Sequence, residues 1–222
     1  MGTAAGSITP DQRADWAITG FLLVREAVPA DLCGALAVSG DDAPAPAAVG
    51  RLLGHRVTGL VDELLGREAE LLEARVVTLD PGEPGRLWHQ AEVDGGPGAA
   101  VERSLLLHLA LTDAGLAAGC PWVLPATHTG PARPHAHDTR PGSAGFHARR
   151  RIVGVDRSEA RPVPLRAGDL LVLDGLAVHR WADNHAREPV AVLLCRYGAG
   201  APDGAGPAGA PARVGSGSGA GR

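Results

Sequence analysis

Lysine is absent. All 21 basic residues of the 222-residue chain are Arg, so any anionic ligand gripped by a side-chain cation must be gripped by a guanidinium or a protonated imidazole. Aromatic residues are scarce at 3 %, and the skew toward Arg, Ala, Gly and Pro reads as coding bias, not function. Cysteine is nearly absent as well. Cys33, Cys120 and Cys195 are odd in number, far apart and in no CxxC spacing, which excludes a disulfide framework and fits small buried apolar residues in a reducing compartment. A domain of this length folds without such staples. No apolar run approaches the ~18 residues of a membrane helix. The opening MGTAAGSITPDQ lacks the basic and apolar regions of a signal peptide, so a cytoplasmic protein with no membrane partner is expected. Positive charge is not in excess either. The net charge is −4, and Arg149–Arg151 is too short a basic run to sustain broad phosphate neutralisation, so a nucleic-acid partner is excluded.

Glycine and proline, at 31 and 18 residues, are plentiful, and unevenly spread. Residues 198–222 are rich in Gly, Ala and Pro and carry one Val as their only large apolar side chain. Such a segment cannot offset its ordering entropy and is expected to be disordered. The expected organisation is a flexible N-terminus over 1–8, one domain over 9–197 and a disordered tail over 198–222. Thr9-Pro10-Asp11-Gln12 opens a helix with a capping box that Gly20 closes. Phe21–Arg25 reads as a short buried strand and Pro29–Val38 as a second helix. Residues 48–65 repeat apolar positions at helical spacing, from Leu52 and Leu53 to Leu64 and Leu65. From there the pattern becomes strand-like: 71–79, a short extended piece at 87–90, 104–111, 122–124, 151–155, 162–165, 170–173, 177–181 and 190–197. Residues 129–150 form a polar loop. Its length suits a lid. Over 104–111, Leu105, Leu107, Leu109 and Leu111 share one face, with Ser104, Leu106, His108 and Ala110 on the other. Helices first, then about eight short antiparallel strands, define an α+β chain, and the many turns suggest a jelly roll.

The chemistry-bearing residues are chiefly the nine histidines. His89 follows Trp88 after a Gly/Pro turn, and His179 lies on a late strand. His108 is on the less apolar face of its strand, where it either contacts a substrate or is a hydrogen-bonded interior histidine. His135-Ala136-His137-Asp138 has metal-binding residue types, but a solvated loop is the simpler reading. Trp88 and Trp181 flank the two candidate ligands and suit packing. Arg86 and Arg103 are spare cations able to meet an anionic substrate, with a surface role as the default.

The segments PGEPGRLWHQAEVD, LLLHLALTDAGLAAGCPWVLPATHTGP and VPLRAGDLLVLDGLAVHRWADNHAREPVAVLLCRYG, in that order, resemble the phytanoyl-CoA dioxygenase family of iron(II)/2-oxoglutarate oxygenases. ITPDQRADWAITGFLLVREAVPADL is similar to its N-terminal helix, strand and helix. The resemblance covers nearly all of residues 8–197. It implies a double-stranded β-helix fold with N-terminal helices, Fe(II) and 2-oxoglutarate as cofactors, and a small organic molecule as substrate. It also implies iron ligands of the form His-x-Asp/Glu plus a distal His, with sites left open for 2-oxoglutarate and O₂. His89 and His179 match the two histidines. The carboxylate position is Ala91, whose methyl cannot bind metal. The arginine that pairs with the far carboxylate of 2-oxoglutarate falls at Val190 or Ala191; Arg187 stands about one turn early and is the candidate cofactor contact, and Arg196 is late. Thr127 and His128 match a structural turn. Three readings follow: a substitute ligand, with Glu92 nearest; a functional vacancy at Ala91 that admits a halide, so that a C–H bond is halogenated and not hydroxylated; or loss of iron, leaving a binding protein or non-oxidative catalyst. Ala91 and His108 are the candidate catalytic positions. No segment marks an oligomeric state.

Overall fold

The computed structural model describes residues 8–37, 44, 46–91, 103–137 and 150–199. The expected flexible N-terminus up to residue 7, the expected tail from residue 200, and Glu92 lie outside the described residues.

Helix α1, Pro10–Thr19, starts where the capping box places it. Gln12 N–H donates to Thr9 Oγ1 at 3.1 Å and Thr9 N–H donates to Gln12 Oε1 at 2.9 Å, which satisfies two of the amides a helix start leaves unpaired. Strand β1, Phe21–Val24, and helix α2, Ala30–Ala37, follow. Helix α3, Pro46–Leu65, covers the expected apolar repeat but breaks at Gly54, whose φ of 63° and ψ of 175° are non-helical. Only a residue without a Cβ adopts that backbone at little cost, so the single expected helix is two segments across a kink.

Nine further strands follow among the described residues. They are β2 (Ala69–Leu79), β3 (Ser104–Ala110), β4 (Pro121–Val123), β5 (His135–His137), β6 (Arg150–Ile152), β7 (Arg161–Pro162), β8 (Leu170–Asp174), β9 (His179–Trp181) and β10 (Val190–Ala199). Strand pairing is antiparallel throughout. A larger sheet has the order β1-β8-β3-β10-β2, a smaller one β7-β4-β9, and β5 pairs with β6 alone. Strand β5 lies in the expected loop over 129–150, where His135-Ala136-His137 carries no apolar alternation to mark it, whereas β6 overlaps the expected strand at 151–155. Strand β10 continues through Gly198 and Ala199, paired with Glu70 and Ala69.

The period-two pattern of β3 sorts the molecule into two cores. Leu105, Leu107 and Leu109 face the helices and pack with Val57, Val61, Val172 and Leu193. Ala110 and Leu106 face the opposite way, into a second cluster shared by both sheets: Val77, Leu79, Leu171, Leu173, Val190 and Val192 from the large one, Val123 and Trp181 from the small one. His108 has the parity of Leu106 and Ala110, so it enters this second interior. Among the described residues, no helix is long and apolar enough to cross a membrane.

Candidate functional site: a histidine-lined interior

Residues 83–91 run as an irregular edge beside β9. Gly82 and Asn184 N–H groups donate to Asn184 and Glu83 carbonyls at 2.8 and 3.1 Å. His89 and His179 exchange both backbone hydrogen bonds, at 2.9 and 3.0 Å. Directly paired residues on antiparallel segments project to the same side, and the two imidazole centroids accordingly lie 4.1 Å apart. The pairing forms because Gly85 lets the backbones close up: a Cβ there would stand 2.2 Å from the Ala182 carbonyl oxygen.

Each imidazole is oriented by its own chain. His89 Nδ1 lies 2.7 Å from the Leu87 carbonyl oxygen, and His179 Nδ1 lies 2.9 Å from that of Ala177. A carbonyl only accepts, so Nδ1 carries the proton in both rings and the Nε2 lone pair is left for a ligand. Burial, aided by the Arg86 charge, holds His89 well below the usual histidine range. Burial, opposed by the Ala177 carbonyl, brings His179 down to about 4. Both are therefore neutral at physiological pH, the state a metal requires.

His108 completes the cluster. Its ring lies edge-on to His179, with centroids 5.5 Å apart, and 5.5 Å from the Trp181 ring. Burial and the neighbouring His179 depress it strongly too. Its Nδ1 is sealed from solvent and has no hydrogen-bond partner, so it is not the hydrogen-bonded interior histidine that was one of the two sequence readings. Ala91 follows on the same segment, its N–H donating to the Gly175 carbonyl at 3.0 Å, two residues past the Ala177 that regular pairing would oppose to it, so the edge bends away from β9 register there. Among the described residues no three His, Cys, Asp or Glu side chains converge as a metal site, which agrees with a methyl at the third position.

The cations are arranged differently from the sequence expectation. Arg187 is exposed in the bend between β9 and β10, and the structure does not bring it to the histidines. Asn184 fixes that bend, donating from Nδ2 to the Leu79 and Glu188 carbonyls and accepting from the Ala186 N–H at 2.9 Å each. Val190 is buried against the shared interior, opposite Leu79. Arg86, in contrast, lies within electrostatic reach of His89, His108 and His179, and of Arg75 and Glu73 on β2. Its side chain is partly buried, and its Nε is sealed without a partner. Burial and Arg75 push it down to about 9, so it remains cationic at neutral pH. Arg103 instead sits 3.9 Å from Asp174.

A clasp behind the histidines is not visible in the sequence. Gln90, buried on the side opposite His89, donates from Nε2 to the Leu176 carbonyl at 2.6 Å and accepts the Arg133 N–H at 2.7 Å. Its backbone N–H donates to His135 Nε2 at 3.1 Å, while His135 Nδ1 lies 2.7 Å from the Arg133 carbonyl oxygen. His135 is thus a neutral structural residue and not part of a solvated loop; the His137 side chain and Asp138 lie outside the described residues. Thr127 Oγ1 donates to the Leu124 carbonyl and accepts the Val178 N–H at 2.8 and 2.9 Å, a structural turn just before His179. A groove of about 1000 Å³ elsewhere, lined by Arg25, Asp113, Arg166 and Asp169 among others, contains none of these histidines.

This architecture is that of the iron/2-oxoglutarate oxygenases. EvdO2 from Micromonospora carbonacea var. aurantiaca, complexed with 2-oxoglutarate, superimposes with a TM-score of 0.69 at 21 % identity over 87 % of this chain and 92 % of its own. The epimerase SnoN in complex with Fe3+, alpha ketoglutarate and nogalamycin RO gives 0.63 at 19 % identity, covering 85 % and 82 %. EctD from S. alaskensis with 2-oxoglutarate and 5-hydroxyectoine gives 0.65 at 16 %, covering 90 % and 79 %. No curated protein sequence matches the chain. The phytanoyl-CoA dioxygenase (PhyH) family profile matches residues 37–189, and the chain belongs to that family.

Proposed function

We propose that the protein is an iron(II)/2-oxoglutarate-dependent tailoring enzyme that oxidises a C–H bond of a small organic molecule, with the two antiparallel sheets forming the walls of a double-stranded β-helix. The observation that carries this reading is the His89–His179 pair: two neutral imidazoles, 4.1 Å apart, each with Nδ1 committed to its own chain. Such a pair fits two positions of a facial iron site. His89 and His179 would hold Fe(II), which with 2-oxoglutarate and O₂ would supply the oxidant for the C–H bond. Ala91 would leave the family's carboxylate position open to an exogenous halide, in which case the C–H bond would be halogenated; without one it would be hydroxylated, the oxygen coming from O₂. His108 and Trp181 flank the pair and limit how a substrate enters.

Ala91 and the buried Val190 favour one rival, a family member that has lost iron and acts as a binding protein or non-oxidative catalyst. Anaerobic addition of Fe(II) and 2-oxoglutarate, with and without chloride, separates the two. The expected result is a visible charge-transfer band that His89→Ala and His179→Ala abolish. A band perturbed by chloride favours halogenation. Absence of any band establishes the rival, and a band indifferent to both substitutions overturns the assignment of His89 and His179 as the ligands.

A further inference from the structure

We propose that Arg86, seconded by Arg75, forms a carboxylate-binding site at the histidine-lined interior, in place of the arginine missing at Val190, and that the carboxylate it takes is the far one of 2-oxoglutarate. The identity of the ligand rests on the function proposed above; the existence of the anion site does not.

Three observations converge. The Arg86 Nε is sealed from solvent with no acceptor, and Arg86 makes no ion pair among the described residues. A sealed guanidinium nitrogen without an acceptor is costly, and a bound ligand is one way to satisfy it. Second, a charge of the same sign, Arg75, is within electrostatic reach of Arg86. Arg75 has the parity of Val77 and Leu79, which face the shared interior, and it stands opposite Leu194, itself opposite His108. The described acid nearby, Glu73, is about half exposed and is shared between Arg75 at 3.7 Å and Arg196 at 3.9 Å. Glu73 is thus already committed to Arg75 and Arg196, and a bound anion would offset the repulsion between Arg75 and Arg86. Third, Val190 and Leu79 close the position the family uses with aliphatic side chains, so the cation has to come from elsewhere in the wall. A guanidinium presents the forked donors that a carboxylate accepts in pairs.

The test uses the full-length protein stripped of metal. 2-Oxoglutarate, glutarate, 2-oxobutyrate and benzoate are titrated by calorimetry, and tryptophan fluorescence follows the same additions. Wild type is expected to bind both dicarboxylates. Arg86→Gln is expected to weaken them at least about tenfold, the loss typical of a charge-assisted contact. Arg86→Lys recovers part of it, and Arg75→Gln shows a smaller loss. Arg51→Gln on the exposed side of α3 is unchanged. 2-Oxobutyrate, which lacks the far carboxylate, is expected to bind weakly and equally to wild type and Arg86→Gln. Circular dichroism verifies that each variant is folded. Equal dicarboxylate affinity in wild type and Arg86→Gln overturns the proposal, as does transfer of the loss to Arg187→Gln or an absence of binding by wild type. Weaker benzoate binding with 2-oxoglutarate unaffected assigns the site to a substrate carboxylate and overturns the cosubstrate assignment. The charge-transfer band is a separate measurement. If Arg86→Gln keeps it at raised 2-oxoglutarate, both proposals stand; if wild type binds dicarboxylates without ever giving a band, the iron reading alone fails.

Discussion

Ala91 concentrates the chemistry of this site into one methyl group. It lies two residues from His89, which is fixed to β9 by paired backbone hydrogen bonds, and its own N–H is held by the Gly175 carbonyl. A carboxylate introduced there extends toward the same space as the two imidazoles. Ala91→Asp is therefore expected to tighten Fe(II) binding at least about tenfold, since it restores a third charged ligand, and to remove any effect of chloride on the band; anaerobic iron titration measures both. An unchanged iron affinity means that the aspartate is turned away. A second residue acts on stability. Asp169 is buried, and burial pushes its carboxyl up, but the Arg166 and Glu26 amides and the Arg25 guanidinium, at 2.9, 3.0 and 2.6 Å, outweigh that and hold it below the usual carboxylate range. A depressed carboxyl contributes stability above its unfolded value and loses it as pH falls through the folded one. Unfolding monitored from pH 7 down to acid should show this loss below about pH 4. Asp169→Asn should cost about 2 kcal/mol at neutral pH and flatten the acid limb. Because Arg25 is half exposed, most of that cost belongs to the two amides.

At the scale of elements, the site depends on how closely one irregular segment approaches β9. Gly85→Ala places a Cβ 2.2 Å from the Ala182 carbonyl and 2.4 Å from that of Trp181, both backbone atoms that cannot swing aside. The segment must move, and the His89–His179 pairing four residues on moves with it. Loss of about 2 kcal/mol or more, together with loss of iron binding, is expected in a thermal melt paired with an iron titration. A full iron affinity in this variant would show that the pairing survives without close contact. What the sequence made legible here follows the range of the interactions. The α1 capping box and the alternation of β3 are local, and both are seen where expected. His89 and His179 stand out through the family resemblance of their segments, and the structure brings their rings together. The Gln90–His135 clasp joins residues 45 apart by a backbone amide and a ring nitrogen, and neither has a periodic signature. Arg75 shares that blind spot, and Arg86 stands in the sequence only as a spare cation with a surface role as its default. Whether a charged residue on a strand faces solvent or ligand depends on which side the second sheet covers, and that is settled only by tertiary pairing.

For the whole molecule, the consequence is that the candidate site bridges two sheets that otherwise meet through aliphatic contacts. His179 belongs to the small sheet and His89 to the edge beside it; His108 and Arg75 belong to the large sheet. The helices pack on the far face of the large sheet and do not reach this interior. A ligand that touches both walls therefore adds contacts between sheets, and because it binds the folded chain alone it raises stability by mass action. At a hundredfold excess over its dissociation constant a divalent ion contributes about 2.7 kcal/mol. For a domain of this size that is a rise of about 5–10 °C in Tm. Co(II) or Ni(II), which avoid the oxidation that complicates Fe(II), should give this shift with wild type and little with His179→Ala. 2-Oxoglutarate added afterwards should raise Tm further in wild type, by an increment that Arg86→Gln removes while the metal-induced rise persists. A metal-induced rise equal in wild type and His179→Ala would place the ion away from the paired histidines. An increment from 2-oxoglutarate that survives Arg86→Gln would place its carboxylate on another cation.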